Sequence, residues 1–133
     1  MRMNARQRAH KEYANVGIHT SITEASPHRL VQILFEQANG ELLKAKGAMK
    51  SGEIKLKGKA ISQAIAVIGI LQSSLNMTDG GDLAVNLNLL YEYLMRRLVV
   101  ANAQDDDAIL DECMLLLRPV KESWDSIGGA VNG

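Results

Sequence analysis

Residues 26–52 read SPHRLVQILFEQANGELLKAKGAMKSG, and their spacing predicts one long helix. Ser26 can cap the first free amides, and Pro27 is pre-set for the first helical position. From there Leu30, Ile33, Leu34, Ala38, Leu42, Ala45 and Met49 recur at steps of three or four, the mark of a single apolar face. Ser51-Gly52 ends the helix, because glycine takes the left-handed cap conformation without steric cost.

Working outward, the same periodicity returns three times. A second helix is expected over 54–76, with Ile61, Ala64, Ile65, Ile68, Leu71 and Leu75 on its apolar face. Gly58 and Gly69 inside it each cost about 1 kcal/mol relative to alanine, which makes sense where another chain segment approaches closely. Thr78-Asp79-Gly80-Gly81-Asp82 is a strong turn, and Asp82 is expected to cap a third helix over 83–102. Its apolar face is Leu83, Leu87, Leu90, Leu94, Leu98 and Ala101. Asp105-Asp106-Asp107 opens a fourth, where acidic residues complement the positive end of the helix dipole. That helix carries Ile109, Leu110, Cys113, Leu116, Leu117, Val120, Trp124 and Ile127, and Pro119 within it predicts a kink or local break.

Four amphipathic helices joined by short turns predict an all-α, antiparallel up-down four-helix bundle over 26–128. Residues 1–25 form a polar N-terminal segment, with a short helix expected around 4–15 and an extended stretch after it; 129–133 are a tail. Aromatics make up only 4% of the 133 residues against 47% hydrophobic overall, so the core is aliphatic.

Composition excludes several roles. With 15 basic and 15 acidic residues the chain lacks the basic excess of a nucleic-acid binder. The start of the chain has no apolar stretch of the secretory type, and no run approaches a membrane span. One cysteine allows no internal disulfide. A cytoplasmic protein is therefore expected, with neither nucleic-acid binding nor membrane insertion.

The residues offer little for catalysis. Neither Glu-x-x-His nor His-Glu-x-x-His occurs, so no metal site and no cofactor are expected. His28 lies at a helix start, where an exposed polar role is expected rather than phosphotransfer. Asp105 to Asp107 do not make an EF-hand, since Ile109 takes a ligand position and the required glycine is missing. Cys113 falls on the apolar face, as a buried structural thiol does.

What stands out is a surplus of apolar residues. Beside its core stripe the third helix carries Val85, Leu89, Tyr93 and Val100; the second adds Ala60, Val67 and Ile70; the first adds Val31 and Phe35. The pattern alone leaves two readings open: a wide core face, or a groove that receives an amphipathic helix from a partner. Val67, Ile70, Val85, Leu89, Tyr91 and Tyr93 are the candidates for groove contacts. Tyr91 has an equal alternative in the core, with its hydroxyl at the rim. Arg96 and Arg97 either orient an acidic partner or solvate the helix end.

The order of several short motifs is also recognisable. Ala25-Ser26-Pro27-His28-Arg29-Leu30 is followed by Leu34-Phe35-Glu36, then Gly80-Gly81-Asp82-Leu83 and Asn86-Leu87. Leu90-Tyr91-Glu92-Tyr93-Leu94-Met95-Arg96-Arg97-Leu98 follows, and Ala101-Asn102, Asp107, Leu110-Asp111-Glu112 and Trp124 close the set. In this succession the chain resembles the FliS family of flagellar secretion chaperones. The resemblance implies a non-enzymatic helical bundle that binds the C-terminal segment of flagellin in hydrophobic clefts, prevents premature polymerisation and delivers it to the flagellar type III export apparatus. It further implies that the N-terminal segment covers part of that surface as a lid, here through Tyr13, which matches a family tyrosine, with Val16 and Ile18. Export-apparatus components are further partners on this reading. The rival is a regulatory adaptor that binds another flagellar factor, such as an anti-sigma protein, through the same surface. The chain departs from the family pattern at Ala5, where a second tyrosine is common, at Glu36-Gln37-Ala38, and at Pro119.

Overall fold

The Ser26 hydroxyl accepts the Arg29 amide N–H at 3.1 Å, and with Pro27 in the first turn this fixes where the first helix begins. The computed structural model describes residues 25–76 and 80–127. Tyr13, Val16 and Ile18, and the short helix expected around them, lie outside the described residues. Four helices follow in order: α1 Pro27–Ser51, α2 Ile54–Ser73, α3 Gly81–Gln104 and α4 Asp107–Ser126. Among the described residues there is no strand.

The connections are set by local chemistry. α1 ends at Gly52, whose φ of 73° is the left-handed cap, and Glu53 returns its N–H to the Ala48 carbonyl at 2.9 Å. α2 stops at Ser73, three residues earlier than the periodicity suggests. α3 begins at Gly81, ahead of the expected start; Asp82 lies in its first turn rather than capping it. Gly80 explains the shift. A Cβ there would collide with the Asn76 carbonyl oxygen and the Ala84 side chain, so only glycine lets the chain turn this tightly. α3 runs on to Gln104, and Asp105, at a φ of 56°, turns the chain out of it. Asp106 then caps α4 by accepting the Ala108 N–H at 3.0 Å.

The expected break at Pro119 does not occur: α4 is helical from Asp107 through Ser126. Pro119 is exposed, as is Leu115 one turn before it, so water can serve the carbonyl that the proline cannot. Leu117 and Val120, which flank the proline, both pack against the core.

Consecutive helices are neighbours, and α4 closes back on α1, so the four form a ring around one core. The direction alternates. Along α1 from Gln32 to Lys46, the hydrogen-bonded partners on α4 run backwards from Asp125 to Asp111. Along α2, Lys57 meets Asn102 and Gln72 meets Asn88. The centre is aliphatic, with Leu34, Leu42, Ile68, Leu94, Leu98 and Leu110 almost wholly enclosed. The architecture is the all-helical four-helix bundle that the spacing predicts.

Candidate functional site

The surplus apolar residues divide sharply. Phe35, Ala60, Val67, Ile70 and Tyr91 are buried within the core, so on α1 and α2 the extra residues widen the core face. Burial pushes the Tyr91 hydroxyl up to about 12. On α3 the outcome is the other one. Val85 and Leu89, one turn apart, are 44% and 57% exposed and point away from the row of Tyr91, Leu94 and Leu98. Leu83, expected on the core stripe, is also exposed, in the first turn of α3.

Of the six groove candidates, Val85 and Leu89 therefore form a surface pair, while Val67, Ile70 and Tyr91 lie in the core. Tyr93 sits half-buried at the seam with α4, where its hydroxyl donates to Glu112 Oε2. Arg97 donates to the other oxygen of that carboxylate at 3.0 Å. The Tyr93 hydroxyl first, and the Arg97 guanidinium second, hold the Glu112 carboxyl below its ordinary range. Arg97 thus serves the α3–α4 seam, whereas Arg96 is exposed.

The α2 glycines change the reading of this face. A Cβ at Gly58 or Gly69 would meet nothing within 4 Å, so no part of the described chain approaches them closely. Gly69 lies one turn before Gln72, which bonds Asn88 on α3, and Ser62 and Ala66 beside the glycines are exposed. Gly58, Ser62, Ala66 and Gly69 thus make a low, unencumbered strip on α2.

Two open depressions of about 290 Å3 each lie elsewhere on the ring. One, between α1 and α4, has Phe35, Met114 and Leu117 as floor and Arg118 and Lys121 along one edge. The other, between α1 and α2, contains Glu41, a buried carboxylate that accepts from Gln37 and Lys44. Sequence reading passed over Glu41. Its signal was phase: three residues after Ala38 and four before Ala45, it falls on the core side of α1.

His28 corrects an expectation. It is 3% exposed, not a surface residue, and its ring stacks on Trp124 with centroids 4.7 Å apart. The Trp124 indole N–H donates to the His28 carbonyl at 3.0 Å, which ties the end of α4 to the start of α1. Among the described residues neither His28 ring nitrogen has a hydrogen-bond partner. Cys113 is fully buried, and desolvation pushes its thiol up to about 12. Among the described residues, no three of His, Cys, Asp and Glu converge as metal ligands would, and no helix is long and apolar enough to cross a membrane.

Comparison with known proteins adds a second line. Residues 9–131 match the family described as flagellar protein FliS. The chain is 44% identical over 120 residues to the flagellar secretion chaperone FliSB of Pseudomonas aeruginosa, a match that covers 90% of this chain and 95% of that protein. It is 38% identical over 118 residues to the flagellar secretion chaperone FliS of Salmonella typhimurium, covering 88% and 87%. The FliS of Vibrio cholerae is 37% identical over 115 residues, covering 86% and 85%.

Proposed function

We propose, since the chain belongs to the FliS family of flagellar secretion chaperones, that it holds the C-terminal segment of flagellin against the α2–α3 face. On this reading it works in the cytoplasm, keeps flagellin from polymerising early and hands it to the type III export apparatus. It is a chaperone and not an enzyme.

The observation that supports the placement is the exposed Val85–Leu89 pair on α3. Helix-in-groove recognition needs apolar anchors one turn apart and a neighbouring surface low enough for the incoming backbone. Val85 and Leu89 supply the first, and Gly69 on α2, one turn before the Gln72–Asn88 contact, suits the second. Tyr93 borders this contact, and Val67, Ile70 and Tyr91 lie in the core. Burial of the partner's apolar face contributes about 25 cal/mol per Å2, offset in part by the ordering of the bound segment. The wrapped segment is then firmly held yet releasable.

Co-purification with a flagellin C-terminal segment tests the function. Capture of that segment is expected; capture of an anti-sigma factor instead would favour the adaptor reading. The lid formed by Tyr13, Val16 and Ile18 is part of the proposal. Removing residues 1–20 then raises the association rate for the segment or leaves it unchanged. A large fall would place those residues in the binding site itself.

A further inference from the structure

Glu41 is 2% exposed, and the buried residues on either side of it along α1, Ala38, Leu42 and Ala45, are apolar. Gln37 Nε2 donates to its Oε1 at 2.9 Å. With the Gln63 amide nitrogen turned to the carboxylate, it lies 3.0 Å from both oxygens. These two donors are neutral. Among the described residues the ammonium that pairs with it, that of Lys44, is 62% exposed and 3.4 Å away. A solvated ammonium at that distance contributes little. A buried carboxylate held in this way is costly, and an apolar residue of the same size would leave a bundle as stable or more so. The carboxylate also helps line the depression of about 290 Å3 between α1 and α2, room enough for one long side chain.

We propose that this depression is a subsite for an arginine of the segment the chaperone carries, with Lys44 as a placeholder that the guanidinium displaces. The inference rests on the carrier reading above. The chemistry selects arginine over lysine. A planar guanidinium gives a carboxylate two parallel N–H bonds, and it sheds water more readily than an ammonium. The side-chain oxygens of Gln37 and Gln63 accept its remaining N–H groups. Ala60 and Leu56, which line the same depression, cover the methylene stem. Once displaced, Lys44 stands with Lys59 at the rim, so the preferred segment carries acidic residues within a turn of its arginine.

The test uses the full chain with side-chain amide signals of glutamine followed by NMR. N-acetyl-L-arginine amide is titrated in, with N-acetyl-L-lysine amide as the comparison. Saturable shifts of Gln37 and Gln63 are expected with the arginine probe. The Glu41→Gln variant weakens them about tenfold or more, the worth of one hydrogen bond to a charged group. Lys44→Met, a change at an exposed position that leaves the fold intact, tightens them. No saturable shift, equal affinity in Glu41→Gln, or a lysine probe as tight as arginine overturns the subsite.

The second arm pairs Glu41→Gln with replacement of each arginine of the bound flagellin segment in turn. Coupling between Glu41 and one of them is expected. A segment that binds with no coupling overturns the subsite's role in carrying it. A chain that holds no segment at all overturns the carrier reading, and the probe titration then still decides the subsite.

Discussion

The ammonium of Lys57, near the start of α2, lies 2.9 Å from the Asp105 carboxylate just beyond the end of α3, and it also donates to the Asn102 carbonyl at 3.1 Å. One side chain thus serves a helix C-terminus in two ways, through a carbonyl left over by the helix and through the residue that turns the chain out of it. Lys57 is buried and Asp105 exposed, so the contact closes the seam from inside. Lys57→Met keeps the stem and removes the donor. A loss of about 1–3 kcal/mol in urea unfolding is expected, since a carbonyl in the seam is left unserved. An unchanged midpoint would mean that water takes over the role.

Leu89→Asp places a charge in the middle of the proposed contact at a position that no core residue covers. The circular dichroism of the bundle should stay as it is. Affinity for the flagellin segment falls by about tenfold or more, in line with losing one apolar anchor of about 1.5–3 kcal/mol. Val85→Asp behaves likewise. Folded variants of both with full affinity, measured by calorimetry, would move the contact to another face.

His28→Phe tests the orphaned ring. The substitution keeps a flat ring against Trp124 and removes two buried polar atoms that have no partner. Thermal unfolding is expected to be unchanged or shifted upward, by at most about 1–2 kcal/mol. Trp124→Phe is expected to cost about 1 kcal/mol, because it deletes the bond to the His28 carbonyl. A clear loss in His28→Phe would show that the ring nitrogens find a partner in solution.

Acid stability follows from two carboxylates. The hydroxyl of Tyr93, then Arg97, holds the Glu112 carboxyl below its ordinary 4.5; the ammonium of Lys121, then Gln32, holds the Asp125 carboxyl below its ordinary 3.8. A group with a depressed folded pKa contributes stability that is fully present above its unfolded value and is lost as pH falls through the folded one. Their contribution is therefore complete at neutral pH and is lost in acid, as the pH falls below the ordinary carboxylate values and through the depressed ones. Denaturant midpoints measured from pH 7 to pH 3 should show this decline. Glu112→Gln makes it shallower, and a curve identical to that of the parent chain would remove Glu112 from the account.

The bundle was legible where its determinants are local. Ser26-Pro27 marks the start of α1 because a cap and a pre-set φ act within one turn. The start of α3 was not, because it depends on how closely Gly80 approaches Asn76 and Ala84. Periodicity found Val85 and Leu89 as a second stripe on α3, and only packing could separate them from Val67 and Ile70, which share their chemistry but lie inside. Glu41 went unnoticed and His28 was expected at the surface for the same reason. A polar residue at a core phase reads as solvent-facing until the partners that enclose it, Gln63 for one and Trp124 for the other, are brought there by the fold.

Cys113 is the one cysteine of the chain, and it sits at the centre of the bundle with its proton held firmly. A maleimide can reach it only in molecules whose helices have parted, so its labelling rate is a clock that counts spontaneous openings. A cargo that grips the closed surface at Val85 and Leu89 slows that clock. A cargo that works its way down to Val67, Ile70 and Tyr91 has to prise the helices apart, and the clock then runs faster.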